Sequence, residues 1–313
     1  MMFRNAVLRS LCLWGLICVF GGVLPAEDAG VLLRFKFGAD QKFVYTAVTK
    51  SKMETTFDGE TEKVENSTTA RKQYQVVGVQ PDGSADLEVM FLSIKMRAKV
   101  ADNPEEEFDS ASEEEVDRVD FRKIKESVGN PQAVLRFSTS GKLDEIVKVE
   151  QSDATPHPDE FQTMLMTLPA EPVKVGTEWS ELFKVRVVLE DGKLTQEISM
   201  SRKYKVESIE GDLVKISMRT AVLTPIRSPY IAVQLSQREM RGEILFDNNR
   251  GVILSRDLLA SKEIVNGLGE KTLFRAETQH SEKLEEPGAE EKSSEKPSAE
   301  SGTAEKPSSE AVK

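Results

Sequence analysis

The sequence predicts an all-β, mainly antiparallel protein with one or two short helices. Its strands fall into two related sheet units, arranged either as a curved sheet resembling a half-barrel or as a sandwich. Three observations lead there. Apolar residues recur at every second position through much of residues 33–276, the period of a strand buried on one face. Turn residues such as Pro81-Asp82-Gly83 and Asp191-Gly192 separate these runs. Long stretches that could serve as the crossover helices of a parallel sheet are largely missing between them.

Residues 1–26 read as an export signal. Arg4 and Arg9 supply the positive region, residues 11–20 the short apolar run, and Leu24-Pro25-Ala26 the cleavage site. The run is too short to span a bilayer, so the processed chain is not expected to cross a membrane. Both cysteines, Cys12 and Cys18, lie in this signal, which leaves the remainder without disulfides, thiolate metal ligands or a cysteine nucleophile.

The first β unit spans 27–156. Leu33, Phe35 and Phe37 alternate with Arg34 and Lys36 and predict an opening strand. Phe43, Tyr45 and Ala47 continue the pattern, Tyr74 and Val76 resume it, and Leu87, Val89 and Phe91 follow across the turn at 81–83. An acidic insert at 102–130, with Glu105-Glu106-Glu107, Asp109 and Glu113-Glu114-Glu115, reads as a solvated loop holding a short helix over 112–127.

The second unit spans 157–280 and opens on a predicted linker helix over 158–168. Proline stands early in it, acids fill its first turn, and Phe161, Met164 and Leu168 recur at helical spacing to pack against a sheet. Strands over 182–189 and 194–209 flank Asp191-Gly192, and runs at 213–223, 243–246, 252–259 and 272–276 bring the set to about ten. The order of events repeats between the units: Arg71-Lys72-Gln73-Tyr74-Gln75-Val76 is similar to Arg202-Lys203-Tyr204-Lys205-Val206, and hairpins at 137–143 and 246–253 close each half. Residues 281–313 are almost entirely Glu, Lys, Ser, Ala, Pro and Gly, with Pro287, Pro297 and Pro307 evenly spaced. Such a composition buries too little apolar surface to offset its ordering entropy and predicts a disordered tail.

Chemistry is sparse. The net charge of −11 argues against nucleic acid as a partner, which would require a basic face. Of the two histidines, His157 sits between prolines and His280 falls at the start of the tail, and neither has metal-ligand spacing. The acidic run lacks the alternation and central glycine of a calcium loop. Nucleophile-elbow, Walker and dinucleotide-binding glycine motifs are absent. No catalytic residue, metal ligand or cofactor is assigned.

The stretch Leu33-Arg34-Phe35-Lys36-Phe37-Gly38, with Phe43 and Tyr45, and the linker Leu168-Pro169 to Trp179 resemble uncharacterised secreted β proteins of planctomycete-type bacteria. The hairpins at 137–143 and 246–252 fit as well. The resemblance covers residues 31–278; the family carries no established activity, so it implies an envelope location and no catalytic residues.

The reading is therefore an exported, non-enzymatic β protein of the cell envelope that carries an apolar ligand. Met90, Phe91 and Met96 on one strand, with Met164 and Met166 on the linker helix, are its candidate lining, because methionine adapts to irregular surfaces. The same residues would serve as ordinary core. The alternative is a structural or interaction scaffold presenting the acidic loop and the tail to an envelope protein. An enzyme of unrecognised type is the third reading.

Overall fold

The computed structural model describes residues 30–113, 118–150, 161, 164–189, 192 and 194–286, and in them the period-two runs become an all-β fold. β1 (Lys42–Phe57), β2 (Glu60–Val79) and β3 (Ala85–Val100) form a meander that β5 (Pro131–Phe137) and β6 (Leu143–Val149) continue. A second meander runs through β7 (Glu178–Val188), β8 (Thr195–Glu210), β9 (Leu213–Val222), β10 (Arg241–Asp247), β11 (Val252–Val265) and β12 (Thr272–Leu284). β12 then pairs with β1, giving one sheet ordered β6-β5-β3-β2-β1-β12-β11-β10-β9-β8-β7. β4 (Glu106–Asp109) adds to the free length of β3.

Turn chemistry fixes the registers. Phe57 pairs with Glu60 across Asp58-Gly59, and both turn residues have positive φ (48° and 88°), as a two-residue turn compatible with strand twist requires. That register puts Phe43, Tyr45 and Ala47 on the same face as Tyr74 and Val76, which we call the inner face. Met200, Tyr204, Val206, Ile216 and Phe246 present the same face from the second meander. Fully burying side chains of this size contributes roughly 1.5–3 kcal/mol each.

A single sheet face needs a second layer, and irregular segments supply it. Leu33 and Phe35 are buried as the alternation predicts, yet the segment forms no ladder of its own: Val31 bridges to Val173, the Phe35 N–H donates to Thr139 O, and the Lys36 N–H to Gly251 O. Alternation reports which side chains are buried; a strand also needs a neighbour along its length, and here each amide meets a different partner. Met164 to Leu168 is not helical as predicted. Its amides are engaged elsewhere, Thr167 N–H on the Glu181 carboxylate and Leu168 N–H on Ser140 O, while 158–160 and 162–163 lie outside the described residues. Phe161, Met164 and Leu168 nevertheless pack against the sheet.

Among the described residues two further elements, both short helices, complete the fold. α1 (Val119–Ser127) is shorter than the predicted 112–127, and its Phe121 stacks on Phe108 of β4 at 4.8 Å. The acidic insert is thus partly structured: Glu107 bonds Lys95 at 2.9 Å and Arg97 at 3.3 Å, so the basic end of β3 draws the acids into a strand. α2 (Pro229–Leu235) starts with proline in its first turn, drops Ile231 and Leu235 onto Val185, Ile198 and Met200, and touches both β7 and β11. Composition places the end of the fold at 280; β12 instead runs on through the buried Glu282 and Leu284.

Candidate functional site

Where α2 and the chain after it cross the inner face they leave a cavity of about 240 Å³. Its floor is inner-face side chains of β8 to β11: Arg202, Tyr204, Met218, Ile244, Arg256 and Leu258. Met166 closes one side, and Gln237, Arg238 and Met240 form the roof, tied to β1 by the Gln237 amide resting on Met53 Sδ at 3.5 Å. The strand period explains the placement. Arg202 is two residues from both Met200 and Tyr204, and Arg256 is two from Leu258, so the alternation that aims apolar side chains inward aims these guanidinium groups inward too.

Each inward arginine on the floor is held by a carboxylate from behind. Glu181 on β7 accepts from Arg202 Nη1 (3.1 Å) and Tyr204 Oη (2.7 Å), and its other oxygen accepts the Thr167 N–H (3.0 Å). Arg202 lies over the Phe183 ring at 4.6 Å, and Trp179 stacks on Tyr204 at 5.3 Å while donating to Thr167 O. These contacts fix the Arg202 plane. Arg256 Nη1 reaches Glu282 at 3.4 Å and Nη2 donates to Met164 O at 2.7 Å; Lys72 approaches the same carboxylate at 3.7 Å. Arg256 Nε is buried and has no hydrogen-bond partner among the described residues.

Burial pushes the Glu282 carboxyl up, but Arg256, Lys72 and His280 together outweigh it and hold it below the usual carboxylate range. Burial pulls His280 below the ordinary imidazole value, so the ring is neutral at neutral pH, with Nδ1 3.0 Å from Thr49 Oγ1. Tyr204 is raised far above its usual value by burial and by Glu181. The result is an apolar chamber with fixed cationic groups. Among the described residues no cluster of three or more His, Cys, Asp or Glu is gathered to hold a metal. No described helix is long and apolar enough to cross a membrane.

No family model matches the chain, and no curated protein matches it. Among solved structures it is similar to a lipovitellin studied for lipid–protein interactions, at 10% identity and a TM-score of 0.44 over 80% of this chain. The chain spans only 26% of that protein's length. It also matches a DUF1329 family protein from Desulfovibrio piger at 10% identity and a TM-score of 0.12, over 79% of this chain and 84% of that one. Likenesses this distant carry no argument about the chain's ligand.

Of the residues singled out in the sequence, Met166 lines the cavity. Met164 packs nearby against the first-meander core, and its carbonyl orients Arg256. Met90, Phe91 and Met96 lie on β3, half-buried, and the last two pack with Phe108, Phe121 and Ile124 under β4 and α1. Arg202, Arg256, Glu181 and Glu282 were missed. Their signal was present: each is a charged residue at a position where its strand's alternation calls for an apolar one.

A larger open groove of about 1060 Å³ crosses the outer face of β8 to β12 and β1. Exposed side chains of both signs line it, including Lys203, Arg219, Arg241, Glu243 and Asp257, which is the pattern of a solvated sheet face.

Proposed function

We propose that the protein is an exported, non-catalytic carrier that holds a small apolar ligand in the inner-face cavity. The observation that carries this reading is the chamber itself, lined by Met166, Phe183, Met218, Ile244 and Leu258 beneath a roof that contributes Met240 and is not part of the sheet. Binding sites are typically concave and mostly apolar with a few placed polar groups. Methionine at three lining positions suits a pocket that adapts to its guest. A cavity of about 150 Å³ with apolar walls takes up benzene, so about 240 Å³ accommodates a somewhat larger body. The apolar run at 11–20 supports export. Against the scaffold alternative, Glu105, Glu107 and Asp109 of the acidic insert already face Lys95 and Arg97.

Titration with a fluorescent apolar probe tests the reading. Saturable binding is expected, and Met240→Trp, which fills the cavity from its half-buried roof, is expected to abolish it while unfolding remains cooperative. Equal binding by the filled variant would place the probe elsewhere and remove the reading.

A further inference from the structure

The charged groups lining the cavity are of one sign. Arg202, Arg238 and Arg256 line it, and no aspartate or glutamate does, although the whole chain carries −11. The three arginines are not equivalent. Arg202 is paired with Glu181 through Nη1 and stacked on Phe183. Arg238 is exposed at the roof, with no ion-pair partner among the described residues. Arg256 is one acceptor short: its side chain is 15% exposed, Nη1 and Nη2 are engaged, and the Nε donor is buried without a partner. A buried donor left unpaired costs roughly 1–3 kcal/mol, and such groups are rare enough in folded proteins to call for an explanation. Guanidinium groups match carboxylates in shape as well as charge.

We infer that the carried ligand is an amphiphile with one carboxylate headgroup, seated on Arg256 and Arg238, its apolar body lying against Met166, Met218, Met240 and Ile244. The inference rests on the carrier reading and adds the headgroup to it. The carboxylate neutralises Arg238 at the mouth, and a turn of the Arg256 head on binding brings Nε, otherwise closed to the cavity, to the acceptor it lacks. The volume suits a chain of roughly six to ten carbons or a single substituted ring, scaled from the benzene-sized cavity above.

The test uses three probes of equal length on the full chain, octanoate, octanol and octylammonium, measured by calorimetry. Octanoate is expected to bind at least tenfold more tightly than octanol, and octylammonium not to bind. Arg238→Gln, at an exposed position, is expected to lower octanoate affinity several-fold and leave octanol unchanged. Arg256→Lys retains a charge for Glu282 but loses Nε, and is expected to reduce the preference for octanoate further. Equal affinity for octanoate and octanol overturns the headgroup inference while the carrier reading stands. Binding of none of the three removes the carrier reading and the headgroup with it.

Discussion

Glu282 is 6% exposed, yet it is ionised because Arg256 and Lys72 both face it. Burying a carboxylate is costly unless it is paired, and removing one member of a buried pair leaves the other uncompensated. Glu282→Ala strands Arg256, and we expect it to lower unfolding free energy by about 3 kcal/mol in denaturant titration. His280, two residues earlier on the same face, gives a pH signature. Its folded pKa lies below the unfolded value of about 6.5, so below that pH the unfolded chain takes up a proton the fold resists. Stability therefore declines as pH falls from about 6.5 towards the depressed folded value. Glu282 and Asp257 favour the imidazolium while Lys72 and Arg256 oppose it, and burial outweighs them all. Glu282 acts lower: its contribution is complete above the unfolded carboxyl value of about 4.3 and is lost as pH falls through the folded one. His280→Asn should flatten the upper decline in melts between pH 5 and 7 and leave the lower one. A slope unchanged by the substitution would mean another group titrates there.

Strands were legible where one face is buried and the turn residues are distinctive. β7, β8 and the stretches 43–47 of β1 and 74–76 of β2 follow from alternation, whereas the polar lengths of β1 and β2 on either side of Asp58-Gly59 do not. Elements held by partners distant in sequence were less legible. Residues 31–37 show strand-like alternation but lie across the hairpin turns that follow β5 and β10. β4 is acidic, and only the basic end of β3 makes it a strand. α2 has a proline start that the sequence reading passed over, in a helix of only seven residues. The close approach of 31–37 to the β10–β11 turn gives a sharp contrast between glycines. Gly251 has φ +66°, and a Cβ there would meet Lys36 N at 2.4 Å; Gly211 has a similar φ of +61° and open space around it. We expect Gly211→Ala to cost roughly 1 kcal/mol from backbone conformation alone. Gly251→Ala should cost several times as much, because the covering segment must lift off the sheet. Comparable losses in the two variants would mean the segment yields easily.

At the scale of the molecule, the joint is the ladder between β1 and β12, which runs from Tyr45–Leu284 to Phe57–Thr272 and unites the two meanders in one sheet. Its last residues are the ones that composition assigns to the tail. Leu284 is buried in the first-meander core, and Glu285 forms a two-pronged bond with Arg71 at 2.9 and 2.7 Å. A chain ending after Glu286 should melt where the full chain does, whereas one ending after His280 loses these contacts and should melt at least about 5 °C lower. The same ladder brings Glu282 beside Arg256 and so sets the charge of the cavity. The cavity could not be read from the sequence, because it lies between a roof and floor strands brought together only by the complete sheet.

Carriage of an apolar ligand is tested most directly by native mass spectrometry of the protein isolated from its own cells, before and after denaturation. The expected result is an additional mass, lost on denaturation and identified as a small apolar acid, that is absent from the Met240→Trp variant. A mass retained in full by that filled variant, or an empty protein that also takes up none of the octyl probes, would contradict the account.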